Sequence, residues 1–315
     1  CEIVARPRGH DAQRLATAAH GVRSKCDHAV ATDHYEIVVL VRAFTRLVQG
    51  IVETYAGDVD DVEVMSNLPP VVAQLTGIRY AITSNGAAVW DLGADPMKAV
   101  YSRYCNAAEH ETAEPVALIS RPMPVELARE AFALYQEYPG AMSVFCDGRT
   151  YRDTVAMERF ALRNARRGST EARQPNDGRF TVVRDLGEWM SRHAHEVEKF
   201  CMFFDTPEEA RAALPRFYAL EGAEVVQGAP DNIEVTAKGV DKGEALLALA
   251  DLLGIPREAT VAVGDSENDR AMLEKAGVAA VMANGMPHIQ ALADLVSEND
   301  CDHDGVAELF ERLNL

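Results

Sequence analysis

Two hydrophobic patterns recur along this chain: short uninterrupted apolar runs, and longer stretches with helical spacing. One apolar run, 260–264, ends in glycine and is followed by Asp265, and apolar residues then return at helical spacing over 271–276. A short apolar run that ends in Gly-Asp and leads into a helix is typical of a buried parallel strand and its crossover helix. Ligands bind beyond the carboxyl ends of such strands, so we expect Asp265 at a ligand-binding edge.

A second strand and helix precede this one along the chain. The alternating stretch 233–235 predicts a strand, and a Lys-Gly loop then leads to Lys242 at the start of a helix. Residues 245, 246, 249, 252 and 253 fall on one apolar face of that helix, which Gly254 and Pro256 end. A lysine at a helix N-terminus opposes the helix dipole, unless an anion is bound there by the free backbone N–H groups and the ammonium. The alternative is an ordinary solvated lysine.

The acidic residues after the apolar run suggest a metal site. Asp265 and Asp269 are four residues apart, so they can face the same way once the helix begins. Carboxylates without neighbouring sulfur or imidazole suit Mg2+. An acidic first turn, favoured by the helix dipole alone, is the competing interpretation. Lys242 and Asp265 belong to one α/β unit and therefore reach the same edge of one sheet, which favours a Mg2+-dependent phosphate site.

Four segments in order carry a resemblance to a known family. Residues 264–269 and Lys242 resemble the fourth and third motifs of haloacid dehalogenase (HAD) superfamily hydrolases of the Cof type. Residues 278–287 resemble the strand and Asn-containing turn that follow the fourth motif. Residues 82–87 resemble the strand end that leads from the core of such a protein into its cap. The resemblance covers residues from about 80 to 315.

The resemblance implies a fold and a domain division. The fold is α/β: a Rossmann-like, three-layer core with a parallel sheet, into which an α+β cap is inserted. Residues 1–87 and 231–315 are expected to form the core, and residues 88–230 the cap. The mixture of short strands and helices in that middle segment favours one antiparallel sheet covered by helices.

The resemblance also implies a chemistry and a set of site residues. The activity is that of a phosphatase that hydrolyses a small phosphomonoester, a sugar phosphate or related metabolite, through an aspartyl-phosphate on the protein. Asp265 is expected as a Mg2+ ligand, and Asp269 as a ligand or its support. Lys242 is expected to clamp the transferring phosphoryl group, and Asn268 to help position it.

The N-terminal region departs from the family pattern. The Asp-x-Asp-Gly-Thr motif, which supplies the nucleophile and the general acid, is absent from the chain. Asp33, at the end of an apolar run, is the nearest candidate for a nucleophile, and Asp58 or Asp60 is a weaker one. Arg42 follows a predicted strand over 36–41 and matches the arginine of the second motif, without the Thr-Gly that precedes it in the family. A deletion, frameshift or mis-set gene start would explain the first 40 residues, and so would divergence to a non-catalytic protein.

Composition limits the partners. The net charge of −18 argues against binding to nucleic acids or to membrane surfaces. No apolar run approaches the length of about 18 residues that a membrane helix requires, and no signal peptide is recognisable. Six cysteines without C-x-x-C spacing indicate neither zinc nor a disulfide framework. These features predict a cytoplasmic protein, monomeric or homodimeric.

Three other polar groups are interpreted as structural. The basic residues from Arg163 to Arg167 are expected at a solvated helix end. His193 and His195 are two residues apart on a predicted helix, and so face different ways. The acidic segment 298–304 lacks the order of a calcium loop. The sequence thus predicts a Mg2+-dependent phosphatase, with an inactive phosphometabolite-binding protein or a phosphomutase as alternatives.

Overall fold

The computed structural model of this chain describes residues 2–5, 36–40, 78–103, 108, 110–166, 180–300 and 303–313, with the backbone alone for 2–5 and 36–40. Two compact units are present. We call them the core unit (residues 78–82 and 242–313 with the strands at 2–5 and 36–40) and the inserted unit (the described residues from 83 to 241).

Fourteen strands and nine helices occur in the described ranges. The strands are β1 (Glu2–Ala5), β2 (Glu36–Leu40), β3 (Ile78–Thr83), β4 (Ala88–Asp91), β5 (Val116–Ser120), β6 (Gly140–Cys146), β7 (Arg149–Asp153), β8 (Phe180–Val183), β9 (Lys199–Phe204), β10 (Ala223–Val226), β11 (Asn232–Ala237), β12 (Thr260–Gly264), β13 (Val278–Val281) and β14 (Leu295–Val296). The helices are α1 (Pro96–Tyr101), α2 (Val125–Gln136), α3 (Thr154–Arg166), α4 (Leu186–His193), α5 (Pro207–Tyr218), α6 (Lys242–Leu253), α7 (Arg270–Lys275), α8 (Pro287–Gln290) and α9 (Gly305–Leu313).

The core unit contains a mostly parallel sheet, with its described strands in the order β14-β13-β12-β2-β1-β3. Strand β12 runs parallel to both of its neighbours, β13 and β2, whereas β1 is antiparallel to β2 and β3. All five residues of β12 are buried, as expected for a strand covered on both faces. The carboxyl end of β12, at Gly264, therefore forms part of a parallel sheet edge, as the apolar run predicted.

Helix α6 begins at Lys242, as predicted, and packs against α7, which in turn packs against β12 and β13. Ala245, Leu246 and Leu249 are buried as the helical spacing indicated. Leu252 is 60% exposed, which contradicts its assignment to the buried face. In the last turn of α6, Ala250 packs instead with Leu253, Ile255 and Ala259. This packing leaves Leu252 on the exposed side of the helix.

The inserted unit contains a six-stranded sheet in the order β10-β11-β9-β6-β7-β8. The pairs are antiparallel except for β7 and β8, which are parallel. The expectation of a wholly antiparallel sheet is therefore wrong. Helix α3 connects β7 to β8, and a strand–helix–strand connection of this kind places the two strands parallel. Strands β4 and β5, an antiparallel pair in the same unit, are the last two strands of the sheet that contains β3.

One face of this sheet forms the large apolar core of the inserted unit. Alternate residues of β9 point into it, and helices α2, α4 and α5 supply much of the rest. Trp189 and Met190 are buried there, as the sequence predicted. Tyr135 and Phe217 lie with ring centroids 4.5 Å apart, and the Tyr135 hydroxyl donates to the carbonyl of Ile233 at 2.9 Å.

The other face of the sheet carries buried arginines among aromatic rings. The guanidinium of Arg152 lies 3.7 Å from the ring centroid of Phe160 and donates to the Ser143 hydroxyl at 2.8 Å. Arg163 lies 4.0 Å from the ring centroid of Phe203 and is buried. Its expected place at a solvated helix end is therefore wrong, because α3 packs this residue against the sheet, where a guanidinium stacks on an aromatic face.

The chain leaves the inserted unit later than the sequence indicated. Strand β11 pairs with β9 and β10 in the six-stranded sheet, and the inserted unit extends from Thr83 to Asp241 among the described residues. The predicted boundary after residue 230 placed this strand in the core. The sequence of one alternating strand does not show which strands pair with it. The assignment of β11 to the inserted unit therefore required the pairing seen in the structure.

Candidate functional site

Residues 264–269 form a tight loop at the carboxyl end of β12. A short 3-10 turn, Glu267–Asp269, separates the strand from α7. The Asp269 carboxylate folds back on the loop: its Oδ2 accepts the backbone N–H of Asp265 at 2.9 Å and of Ser266 at 3.2 Å. The loop is therefore closed on its own buried carboxylate.

The ammonium of Lys242 completes this arrangement. Its Nζ donates to Asp269 Oδ1 at 2.8 Å, and the two side chains are only 8% and 3% exposed. Lys242 is the first residue of α6, whose N-terminal backbone N–H groups lack partners within the helix. The structure thus brings the predicted Lys242, Asp265, Asn268 and Asp269 to one edge of the core sheet.

The electrostatics of Asp269 follow from these contacts. Burial by itself would raise the pKa of the Asp269 carboxyl, but the Lys242 ammonium and the two backbone N–H donors outweigh it and hold the pKa below its usual value. Asp269 is therefore a carboxylate whose two oxygens are both engaged. This geometry suits a support for Lys242 and for the loop better than a metal ligand.

Gly264 makes the fold of the loop possible. A Cβ placed at this position would lie 2.6 Å from the Cβ of Asp269, closer than real Cβ atoms approach one another. A glycine here therefore lets the Asp269 side chain lie directly against the strand end. The sequence shows the Gly-Asp pair, and the contact explains why the first position lacks a side chain.

Asp265 has its backbone held on both sides while its side chain is only partly buried. Its N–H donates to Asp269, and its carbonyl accepts the backbone N–H of Met286 at 3.0 Å. Gly285 and Met286 belong to the turn at 284–287. A side chain at Gly285 would crowd this turn, because its Cβ would lie 2.8 Å from Val281 and 3.4 Å from the Asp265 carbonyl oxygen. The turn at 284–287, singled out from sequence, thus braces the backbone of Asp265.

Asn268 is oriented by its neighbour. The Ser266 hydroxyl donates to Asn268 Oδ1 at 2.7 Å. In this bond the oxygen of the Asn268 amide faces Ser266, so the amide nitrogen points away from Ser266. A carboxamide N–H group directed away from the loop is a donor of the kind that a phosphate oxygen accepts.

A pair of side chains that the sequence did not single out links the two loops. Glu267 Oε2 lies 2.7 Å from His288 Nε2, and Glu267 Oε1 accepts from Arg270 Nε at 2.6 Å. The hydrogen bond from Arg270 is the main cause that lowers the pKa of Glu267, and His288 acts in the same direction. Glu267 and His288 are 21 residues apart, so no local spacing signals this contact.

Two predicted site residues, Asp33 and Arg42, lie outside the described residues. Strand β2, beside β12 in the sheet, ends at Leu40, and Val41, Arg42 and Ala43 follow it in the sequence. The roles assigned to Asp33 and Arg42 stay predictions.

The remaining polar groups of the sequence analysis have local partners. His193 and His195 both contact Glu196, at 3.1 and 3.2 Å, so they converge on one carboxylate instead of facing apart. In the acidic segment, His303 contacts Asp300 at 2.6 Å. Within the described ranges, no three His, Cys, Asp or Glu side chains form a group that could hold a metal ion by themselves. The same part of the chain has no helix with the length and apolar character needed to span a membrane.

The donor atoms at the sheet edge nevertheless fit Mg2+. Asp265 offers a carboxylate and its neighbours offer amide and hydroxyl oxygens, which are hard ligands. Mg2+ is held by one or two protein carboxylates together with water and substrate oxygens, so a three-residue protein cage is not required.

Comparison with known proteins identifies similar sequences and similar folds. A phosphatase of Bacillus subtilis strain 168, YwpJ, is 40% identical over 106 residues, which are 34% of this chain and 37% of that protein. The chain spans 37% to 57% of the length of three curated relatives that it matches. A solved haloacid dehalogenase-like hydrolase from B. subtilis is similar with a TM-score of 0.57 and 24% identity, over 74% of this chain and 78% of that one. A HAD subclass IIB sugar phosphatase is similar with a TM-score of 0.53 and 20% identity, over 74% and 75% of the two chains.

The family itself is decided by a longer match. The family model for haloacid dehalogenase-like hydrolases matches residues 65–310, which include the inserted unit, most of the core unit and every residue of the loop at 264–269. The structural likenesses agree on the α/β core with an inserted α+β unit. The chain belongs to the haloacid dehalogenase-like hydrolases.

Proposed function

We propose that this protein is a Mg2+-dependent phosphatase that hydrolyses a small phosphomonoester, a sugar phosphate or a related metabolite. The observation that carries the proposal is the buried Lys242–Asp269 pair, 2.8 Å long, beside the partly exposed Asp265. It places a fixed cation and a carboxylate at one sheet edge. Supporting the substrate class, the similar HAD subclass IIB protein is described as a sugar phosphatase.

The chain's own residues would divide the work as follows. The Lys242 ammonium, held by Asp269, and the first backbone N–H groups of α6 bind phosphoryl oxygens. The Asn268 amide nitrogen orients the same group. Asp265 would hold Mg2+, which when bound neutralises charge on the phosphoryl oxygens. Asp269 keeps Lys242 and the loop in place.

The reaction proposed is a double displacement. A carboxylate oxygen, with Asp33 as the predicted nucleophile, attacks phosphorus in line, and the bond from phosphorus to the ester oxygen breaks. The alcohol leaves after it gains a proton. Water then attacks phosphorus of the aspartyl-phosphate, releases phosphate and restores the carboxylate. The proposal includes a cytoplasmic location and a monomer or homodimer.

The test is hydrolysis of p-nitrophenyl phosphate by the full chain, with Mg2+ and with EDTA. Wild type is compared with Asp265→Asn and with Asp251→Asn, a matched change at an exposed position of α6. We expect Mg2+-dependent turnover that Asp265→Asn lowers by at least about 100-fold and Asp251→Asn leaves unchanged. Turnover that is equal in all three proteins would contradict the proposal. If wild type is active, Asp33→Asn tests the nucleophile.

One observation favours a second candidate, a phosphometabolite-binding protein without turnover. Strand β2, the neighbour of β12, is followed in the sequence by Val41 and Arg42 instead of an aspartate. A folded wild type that shows no turnover, but whose thermal unfolding rises with inorganic phosphate in the presence of Mg2+, would support this candidate. The same rise should be lost in Lys242→Ala. A phosphomutase would be recognised by phosphate transfer between positions of one sugar instead of release of phosphate.

A further inference from the structure

The chain passes into the inserted unit through one short segment and out of it through another. The incoming segment, residues 83–87, contains a 3-10 turn at Ser84–Gly86. The outgoing segment, residues 232–241, comprises β11 and the loop that leads to Lys242. Within the inserted unit, a side-chain hydrogen bond joins these two segments.

That bond joins Asn85 to Glu234. The Asn85 Nδ2 atom donates to Glu234 Oε2 at 2.7 Å, across 149 residues of sequence. Glu234 is 1% exposed and accepts two further bonds, from Asn232 Nδ2 at 2.8 Å and from Lys199 Nζ at 3.2 Å. The carboxylate is therefore buried with three donors around it. A buried carboxylate with an ammonium and two amides is a rigid arrangement, because loss of the ammonium leaves an uncompensated charge and loss of an amide leaves a carboxylate oxygen short of a hydrogen bond.

The backbone of the incoming turn is suited to this contact. Ser84 and Asn85 both adopt left-handed conformations, with φ of 54° and 55°. Asparagine tolerates this region better than most residues, so its side chain can be presented at this position with little strain. Ser84 has a partner of its own, since its hydroxyl donates to Glu198 Oε2 at 2.7 Å. Adjacent residues of one turn are thus bonded to two different buried glutamates.

The outgoing segment is held as firmly on the way to Lys242. The Thr236 hydroxyl donates to the carbonyl of Val240 at 3.1 Å, and the Val240 N–H donates to Ala237 at 3.0 Å. The Lys238 N–H donates to Gly222 at 2.7 Å. Lys242 follows β11 by five residues, and these bonds hold the intervening loop as far as Val240.

We propose that Asn85 and Glu234 form a joint that fixes the outgoing segment, and that through it they are positioning residues for Lys242. Neither residue touches the substrate in this role. The expected effect on turnover rests on the proposed function. The claim that Asn85 holds β11 and its loop in place does not depend on the proposed function.

The test compares hydrogen exchange of amides at 232–241 in wild type, Asn85→Gly and Ser84→Ala. Asn85→Gly removes the bond to Glu234 without adding left-handed strain, since glycine adopts this conformation freely. Ser84→Ala is the matched control, because it removes a bond of the same length in the same turn but to Glu198. We expect exchange at 232–241 to quicken on the order of tenfold in Asn85→Gly, and not in Ser84→Ala.

A kinetic comparison separates positioning from general destabilisation. We expect Asn85→Gly to lower kcat for p-nitrophenyl phosphate on the order of tenfold with KM changed less than about twofold, and Ser84→Ala to leave both near the wild-type values. Urea unfolding of the two variants shows whether their stabilities match.

The outcomes are distinguishable from those of the proposed function. Unchanged exchange at 232–241 in Asn85→Gly, or an equal increase in Ser84→Ala, would overturn the joint. If wild type shows no turnover, the proposed function fails, but the exchange measurement still decides whether Asn85 holds the outgoing segment. If Asn85→Gly does not fold, exchange in Asn85→Ala makes the same decision.

Discussion

The protein contains two buried lysine–carboxylate pairs that look alike and differ in what surrounds them. Lys242 and Asp269 in the core unit are 2.8 Å apart, with side chains 8% and 3% exposed. Lys199 and Glu234 in the inserted unit are 3.2 Å apart, with side chains 0% and 1% exposed. The first pair lies at a helix start and a strand end, beside a partly exposed carboxylate. The second lies within a sheet face.

Under the proposed function, the two pairs have different roles. The Lys242 side chain is 8% exposed, and its remaining N–H groups are proposed to bind a ligand at the sheet edge. Lys199 is enclosed, lies 4.7 Å from the ring centroid of Phe145, and shares Glu234 with Asn85 and Asn232. A buried pair is costly to break whichever role it has. What decides the role is whether a further partner can approach from solvent.

The largest expected effect separates the two lysines. We expect Lys199→Met to lower the free energy of unfolding by about 3–5 kcal/mol, because it leaves Glu234 buried without its counter-charge. We expect Lys242→Met to lower it less, by about 1–3 kcal/mol, because Asp269 keeps its two backbone donors. Phosphatase activity should show the reverse order, with at least about 100-fold lost in Lys242→Met.

Urea unfolding and p-nitrophenyl phosphate turnover measure the two effects on the same samples. A Lys199→Met protein with wild-type stability would mean that the enclosed pair is not structural. A Lys242→Met protein with wild-type turnover would remove the lysine from the proposed site.

The second prediction concerns the other glutamate that holds the incoming turn. Burial raises the pKa of Glu198 to about 7, and the nearby Asp147 carboxylate adds to the shift, whereas the Ser84 hydroxyl and Arg103 oppose it. The folded protein therefore keeps a proton that the unfolded chain has lost above about pH 4.5. Stability must fall as pH rises through this window, by about 3 kcal/mol in total.

Glu198→Gln removes this titration. We expect the free energy of unfolding of wild type to decline between pH 5 and pH 8 more steeply than that of Glu198→Gln, measured by urea unfolding in steps of pH. Parallel curves for the two proteins would show that Glu198 does not hold the extra proton. The pair at Lys199 and Glu234 is intact in both proteins, so the comparison isolates the single carboxyl.

The smallest expected effect comes from a third lysine–carboxylate pair, on the surface. Lys275 Nζ and Glu244 Oε1 are 2.8 Å apart, as close as the Lys242 pair, but their side chains are 29% and 48% exposed. We expect Lys275→Gln to change the free energy of unfolding by less than about 1 kcal/mol, because water competes for both groups. A cost similar to that of Lys199→Met would show that distance, and not burial, sets the energy of these pairs.

The sequence anticipated the core site because its elements are local. Lys242 opens a well-patterned helix, and Asp265 and Asp269 follow a single apolar strand, so the parallel-strand rule alone places them at one edge. It failed where a contact spans the chain. Lys199 is followed in the sequence by Phe and Met residues, a pattern that predicts only a strand. Asn85 precedes a glycine, a pair that predicts only a turn. Their shared partner, Glu234, lies 35 and 149 residues away.

The same limit explains the errors in the inserted unit. The sequence alone assigns β11 to the core, because a strand's own residues do not state which strand it pairs with. Arg163 was expected in solvent because a cation at a helix end is usually solvated, yet the tertiary fold provides the ring of Phe203 and the carboxylate of Asp231 as partners.

By itself, the sequence determined the α/β character, the strand–turn–helix at 260–275 and the residues that meet at the carboxyl end of β12, because periodicity and short-range spacing carry that information. Only the tertiary structure decided that Asp269 supports Lys242, that Glu267 meets His288, and that Asn85, Lys199 and Glu234 form one buried group. Each of these depends on side chains from distant segments meeting where water is excluded. Such burial depends on the packing of the whole chain, so the sequence of one segment does not predict it.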